Sequence, residues 1–234
     1  MEISGARAIV TGGAAGIGRG ISELLIQEGA RVVIADVDEQ TGRRAAAEIG
    51  ASFIRADVTK DEDLRRLFDE AELALGGISV VVNNAGGVEG PSYPMAPAEE
   101  WSAVIDLNLR AVMRVTQLAL DRIEAGVVVS IASVAGLGDE THAAPEYAAA
   151  KAGVVRLTSA VGAHGGVRLV CVCPDSTRTP AMARTLAARP PGFDPGPMLE
   201  PGEVAEVVAG LIRDDSARGR VVLVRAGAPV QVIA

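Results

Sequence analysis

The stretch that most restricts what this chain can fold into lies near its start. A short apolar run, Ala8-Ile-Val10, meets Thr11-Gly-Gly-Ala-Ala-Gly-Ile-Gly18, after which Ile17, Ile21, Leu24 and Leu25 recur at helical spacing. It reads as strand, glycine turn and helix. Gly12, Gly16 and Gly18 permit a tight turn, close approach of backbone to a pyrophosphate, and close packing of helix on strand, while the helix N-terminus turns free N–H groups towards the phosphates. Arg31-Val-Val-Ile-Ala-Asp36 then reads as a second strand ending in an acid, 18 residues after Gly18. An ordinary glycine-rich connection satisfies the first half of that pattern but not the second. A carboxylate at this place accepts both ribose hydroxyl protons and repels a 2′-phosphate, so Asp36 favours NAD as the cofactor. Ala15, Ala35 and Val37 around it are neutral, and Arg19 in the first helical turn is the one neighbour with reach to a phosphate.

Strand and helix patterns keep alternating. Gln40 to Ile49 reads as a helix, Ser52 to Ala56 as a third strand, and Thr59-x-x-Glu62 as a capping box opening a helix with Leu64, Leu67, Phe68, Ala71 and Leu75 on one face. Ile78 to Val82 is a buried-strand run ending in Asn83-Asn-Ala-Gly86, a polar turn at the end where open α/β sheets bind ligands. Trp101 to Glu124 is the longest helical pattern, Val127 to Ile131 the fifth strand, Arg168 to Val172 the sixth, Glu203 to Ile212 a last helix and Val221 to Val224 a seventh strand. Right-handed crossovers then predict an α/β fold with a single doubly wound parallel sheet of about seven strands, one domain over residues 1–234.

Composition narrows the partners. A net charge of −8, with two lysines and arginines scattered along the chain, argues against nucleic acid, whose phosphates need a concentrated basic face. No apolar run approaches the roughly 20 residues that span a bilayer, and the start of the chain leads into a strand rather than a signal peptide, so a cytoplasmic protein without membrane contact is expected. Cys171 and Cys173 alternate on one strand, on the same side but too close in sequence for an easy disulfide, and read as structural. No metal site is expected.

The chemistry points to Tyr147-Ala-Ala-Ala-Lys151. On a helix the phenol and the ammonium project from one face about one turn apart. A free phenol titrates near 10, and drawing it towards 7 requires about 4 kcal/mol. An ammonium at about 4 Å in an effective dielectric of about 20 supplies roughly that much. The pair can thus make a tyrosine an acid and a base near neutral pH.

With Thr11-Gly-x-x-x-Gly-Ile-Gly18, Asn83-Asn-Ala-Gly86, Ser133 and Tyr147-x-x-x-Lys151 in this order, the sequence resembles the short-chain dehydrogenase/reductase family over nearly its whole length. The resemblance implies a Rossmann sheet ordered 3-2-1-4-5-6-7, a nicotinamide cofactor, and interconversion of a secondary alcohol and a ketone. By position it puts the catalytic tetrad on Asn108, Ser133, Tyr147 and Lys151. It puts cofactor contacts on Gly12, Gly16, Ile17 and Gly18, on Asp36, on Asp57 and Val58 at the adenine, on Asn83, Ala85 and Gly86, and on Pro174, Thr177 and Thr179 at the nicotinamide, with Tyr147 and Lys151 shared. Tyr147 would pass the proton, Ser133 would hold the carbonyl oxygen, Lys151 would grip the ribose and Asn108 would order a water. For Asn108 the competing reading is a buried amide bonded to backbone; for Ser133 the competitor is Ser130, inside the strand. A homo-oligomer, dimer or tetramer, is implied as well. An NADPH-dependent ketoreductase and a non-catalytic NAD sensor are the alternatives.

The chain leaves the family pattern in several places. The gap from Ser133 to Tyr147 is one residue longer than usual and holds Gly138, Asp139, Glu140, His142 and Glu146; His142, alone in a polar loop, reads as solvated before it reads as a substrate contact. Asp175 stands where the family has glycine after Pro174, and Arg225-Ala-Gly227 replaces an acidic-glycine signature. The helix after Lys151 ends in glycines between Ala160 and Gly166. The segment 179–201 reads as a short, proline-rich substrate lid whose Met182, Leu186, Phe193, Met198 and Leu199 suggest an apolar alcohol or ketone.

Overall fold

The computed structural model describes residues 1–87, 92–138, 140–190 and 192–234. In chain order the elements are β1 (Arg7–Thr11), α1 (Gly16–Gln27), β2 (Arg31–Asp36), α2 (Glu39–Ile49), β3 (Ser52–Arg55), α3 (Asp61–Leu75), β4 (Val80–Asn83), α4 (Ala98–Ile105), a π turn (Asp106–Arg110), α5 (Ala111–Arg122), β5 (Ala125–Ile131), a 3-10 turn (Val134–Gly136), α6 (Pro145–Val161), β6 (Ala163–His164), β7 (Gly166–Pro174), α7 (Pro180–Ala187), α8 (Pro201–Arg213), β8 (Val221–Val224) and β9 (Gln231–Val232).

The sheet runs β3-β2-β1-β4-β5-β7-β8-β9. From β3 to β8 every pairing on that path is parallel, whereas β6 and β9 are two-residue antiparallel additions to β7 and β8. The expected order of seven parallel strands is present, and the two short strands are extra. Period-two alternation sorts the strand residues onto the two faces. Val10, Ile34, Val82, Val129 and Val172 pack with Ile21, Leu25, Val204 and Val208 of α1 and α8. Their neighbours Ile9, Val33, Val81 and Val128 pack on the other face with Leu64, Phe68, Val115 and Ala119 of α3 and α5. Because both faces are covered, the strands are near-continuous Val/Ile runs rather than half-polar ones.

Local details depart from the sequence reading. Thr59 and Glu62 form no capping box: the Thr59 N–H and hydroxyl both bond Asp57 Oδ1 (2.9 and 2.7 Å), which draws Thr59 back into the β3–α3 loop. A capping box does open α8, between Glu200 and Glu203, with Pro201 at the first position, so this helix starts two residues earlier than the apolar pattern indicates. The long helical pattern starts at Ala98 and is broken at Asp106–Arg110 by the π turn, which carries Asn108. Buried Arg168 closes the far end of α8: Nη1 donates to Leu211 O at 2.9 Å and Nη2 to Ile212 O, satisfying last-turn carbonyls.

Candidate active site

The glycine turn joins β1 to α1 at the carboxyl edge of the sheet. Gly12 adopts φ 61°, a conformation that favours glycine, and Gly18 is pressed so close to it that a Cβ there would lie 2.2 Å from Gly12 O. Helix α1 starts at Gly16 with no acidic side chain in its first turn, so its initial N–H groups are open to an anion. Beside it Asp36 ends β2 and accepts N–H groups from Ala14 and Asp38 (3.2 and 3.1 Å), which aims the carboxylate at the turn. This cradle of backbone donors next to an oriented carboxylate fits a dinucleotide's pyrophosphate and ribose. Arg19 does not extend the site: its guanidinium donates to Glu23 at 2.8 Å and pairs with Glu48 at 2.7 Å, and these bonds raise its pKa.

One residue that sequence reasoning passed over organises the floor of this region. Asn84 Nδ2 donates to both Thr11 O and Gly12 O at 3.0 Å, while Thr11 Oγ1 accepts the N–H groups of Asn84 and Ala85 and donates to Val82 O at 3.2 Å. The turn after β4 is thereby locked to the glycine turn. Its signal was the second asparagine of the Asn83-Asn84 pair. Asn83 itself points into the core, where Nδ2 donates to Thr116 Oγ1 (3.1 Å) and Ser130 Oγ (3.4 Å), so its side chain braces the strand end. That bond also removes Ser130 as a rival to Ser133, since Ser130 is buried within β5.

Ser133 stands just past β5, with Oγ accepting from Ala135 N at 3.1 Å and its hydroxyl lowering the pKa of the Tyr147 phenol. Tyr147 and Lys151 lie one turn apart on α6, as the spacing predicts. Lys151 is 3% exposed and donates to Ile131 O at 3.0 Å, with Nζ 5.5 Å from the centre of the Tyr147 ring. Burial lowers its pKa to about 8, against the smaller upward pull of Cys171 and Cys173, whose buried thiols lie behind it. Burial raises the Tyr147 pKa, and the Ser133 hydroxyl opposes that rise.

Asn108 shows the arrangement named as its competing reading. It is fully buried, its Oδ1 accepts Gly87 N at 3.0 Å, and Nδ2 donates to Gly87 O and Val104 O at 2.7 and 2.9 Å. Its amide fixes the end of the β4 turn, and the widened helical turn brings it there. A Cβ on Gly86 would lie 2.7 Å from Asn108 Oδ1 and 3.2 Å from Lys151 Nζ, so Gly86 keeps these two polar groups close together.

Asp57 and Val58 sit after β3, Asp57 holding Thr59 and Val58 buried. Pro174 ends β7, buried Thr177 donates from Oγ1 to Asp175 O at 2.8 Å, and Thr179 caps α7 by accepting Met182 N at 3.1 Å. Thr179 also covers the glycine turn, since a Cβ on Gly16 would meet its Cγ2 at 3.0 Å; Ile17 packs half-buried on the core. In the 179–201 segment Leu199 is buried, Met182, Leu186 and Met198 are half-buried, and Phe193 is exposed beneath the Arg189 guanidinium, 5.3 Å away. His142 lies in the longer loop, exposed, with its ring centre 6.0 Å from that of Tyr147. Asp139 falls outside the described residues. Among the described residues no cluster of metal-binding side chains occurs, and no helix is long and apolar enough to cross a membrane.

A family model for short chain dehydrogenases matches residues 6–190. The chain is 36% identical to an L-fucose dehydrogenase of Bos taurus over 205 residues, 85% of this chain and 74% of that protein. It is also 36% identical to a cis-4-hydroxycyclohexanecarboxylate dehydrogenase of Sinomonas cyclohexanicum over 229 residues, 88% of this chain and 89% of that protein. Among solved structures, a 3-ketoacyl-(acyl-carrier-protein) reductase from Brucella melitensis complexed with NADH superposes with a TM-score of 0.85 at 26% identity, covering 96% of this chain and 98% of that one.

Proposed function

We propose that this chain, which belongs to the short-chain dehydrogenase family, is an NAD-dependent dehydrogenase of ring-borne secondary alcohols. Membership makes it an oxidoreductase of alcohols or ketones with a nicotinamide cofactor. The observation that carries the finer reading is buried Lys151 with Nζ 5.5 Å from the Tyr147 ring centre, Ser133 acting on the same phenol, at the sheet edge where the Asp36 carboxylate accepts Ala14 N of the glycine turn. Two of the relatives act on hydroxyl-bearing rings, which supports that substrate class.

The first N–H groups of α1 would hold the pyrophosphate and Asp36 the adenine ribose, with Asp57 and Val58 beside the adenine and Ala85, Gly86, Pro174, Thr177 and Thr179 along the nicotinamide half. When bound, the nicotinamide accepts or gives the hydride. The protein's own part is the proton. In oxidation, tyrosinate at Tyr147 takes the alcohol proton as the carbonyl forms; in reduction, the phenol returns it. Ser133 Oγ hydrogen-bonds the reacting oxygen and keeps it against the phenol. Lys151 contributes a positive charge that offsets the developing tyrosinate, and the lowered Lys151 pKa confines that help to pH values below about 8. Asn108 contributes by holding the β4 turn against Lys151. Residues 179–201 act as the lid, and residues 1–234 function as one domain that assembles as a homo-oligomer.

The NAD preference rests on Asp36 facing the cradle while Arg19 is tied to Glu23 and Glu48. The test is turnover of a panel of cyclic secondary alcohols by purified protein with NAD and with NADP, followed by absorbance of the reduced cofactor. Turnover with NAD, lost by at least a thousandfold in Tyr147→Phe, is expected. Tight NAD binding without turnover of any alcohol would instead indicate a sensor, and comparable efficiency with NADP would remove the cofactor assignment.

A further inference from the structure

The loop between Ser133 and Tyr147 places a histidine beside the Tyr147 ring. His142 is exposed, and its ring lies 6.0 Å from the Tyr147 ring, centre to centre, tilted by 30°. The ring is also held in place. Ala144 N–H donates to His142 Nδ1 at 3.0 Å, and Ala144 O lies at the same distance from that nitrogen. Nδ1 is engaged by this one residue in every state: unprotonated it accepts the N–H, and protonated, in the neutral ring or the imidazolium, it donates to the carbonyl. Either way one backbone residue fixes the ring through Nδ1 and leaves Nε2 to a partner other than Ala144. A solvated loop histidine has no need of such a brace, and here the brace and the ring contact occur together.

We propose that His142 is a specificity residue whose Nε2 hydrogen-bonds a second oxygen of the substrate, a hydroxyl or, when Nε2 is protonated, a carboxylate on the same ring as the reacting carbinol. This rests on the alcohol dehydrogenase reading given above. A substrate oxygen at the Tyr147 phenol places a six-membered ring within reach of a group 6 Å from the tyrosine ring, so a bare cyclic alcohol leaves Nε2 to water, whereas a diol engages it. The site therefore discriminates for a polar substituent as well as for the carbinol, and the purely apolar substrate suggested by the lid residues gives way to a polyoxygenated ring.

The experiment compares cyclohexanol with cyclohexane-1,2-diol and cyclohexane-1,4-diol as probes, in the unmodified enzyme, His142→Phe and His142→Gln. His142→Phe keeps a ring against Tyr147 and removes Nε2; His142→Gln restores a group that hydrogen-bonds. For at least one diol, kcat/KM is expected to fall about tenfold in His142→Phe, mainly through KM, and to recover in part in His142→Gln, with cyclohexanol unchanged within twofold. An equal loss for the monoalcohol and both diols would mean that His142 only supports the loop, and no loss for any of them would mean that it is solvated; each overturns the proposal. If no alcohol is turned over, the dehydrogenase reading fails, and diol binding to the NAD complex, measured by calorimetry in the same variants, decides the donor separately: an affinity unchanged in His142→Phe overturns it.

Discussion

Asp175 and Arg225, two residues at which the chain departs from its family, face one another across the carboxyl ends of β7 and β8, with Asp175 Oδ2 3.5 Å from Arg225 Nε. Asp175 Oδ1 also accepts Ser176 N at 2.7 Å, so the carboxylate is engaged on both oxygens. Each departure supplies the other's counter-charge. The pair is partly exposed, and such pairs contribute about 0.2–1 kcal/mol. A double-mutant cycle of Asp175→Gly and Arg225→Ala, measured by urea denaturation, should give a coupling in that range that shrinks when salt is raised.

Lys151 trades stability for chemistry. Its folded-state pKa, about 8, lies below the ordinary 10.5, so between those values the unfolded chain holds more protons and stability rises with pH through that window. Below pH 8 the full cost of burying the charge is present, about 3 kcal/mol. Lys151→Met gives up one hydrogen bond to Ile131 O, worth about 1 kcal/mol, and should therefore be more stable than the parent by about 2 kcal/mol at pH 7 while losing turnover. Thermal melts from pH 7 to 10.5 should show that advantage shrinking.

The same titration bears on rate. Ketone reduction needs Tyr147 protonated, which its raised pKa ensures, and Lys151 charged. The reductive kcat/KM should be level below pH 8 and decline as pH rises through about 8. A pH–rate profile that is flat to pH 10 would count against the role of the lysine charge.

Arg19 is engaged by two carboxylates, Glu23 and Glu48. Asp36→Ser should weaken NAD use by roughly tenfold, the loss of a charged acceptor to the ribose, and admit NADP weakly. Adding Glu48→Ala frees one side of Arg19 and should raise NADP efficiency further, read as the ratio of kcat/KM for the two cofactors.

Gly18 is the least replaceable residue of the turn. A Cβ there would approach Gly12 O to 2.2 Å and Asn84 Nδ2 to 2.4 Å, and Asn84 is the brace that holds the two turns together. Gly18→Ala should cost more than 2 kcal/mol by denaturant titration and weaken NAD binding by at least tenfold. Asn84→Ala should reproduce part of both effects.

What could be read in the chain was whatever short-range pattern controls. Val/Ile runs, helical spacing and glycine placement located all seven main strands, because burial on both faces of a parallel sheet leaves an unbroken apolar signature. The Thr59–Glu62 box was misread because its residue types suit a cap, yet Asp57, two residues back, competes for Thr59. The two-residue strands β6 and β9 carry too little pattern to be seen at all.

The site divides along the same line. Tyr147 and Lys151 are neighbours by helix geometry alone, and the glycine turn and Asp36 are joined by one strand–helix–strand unit, so the residues themselves determined those relationships. Only the tertiary structure decided which way each polar group was turned: Asn83 into the core and Asn84 onto the glycine turn, Asn108 onto Gly87, Arg19 onto Glu48, Asp175 towards Arg225, and His142 beside Tyr147. Periodicity reports which residues are buried. The partner of a buried polar group is set by elements that meet from distant parts of the chain, and no local pattern encodes that meeting.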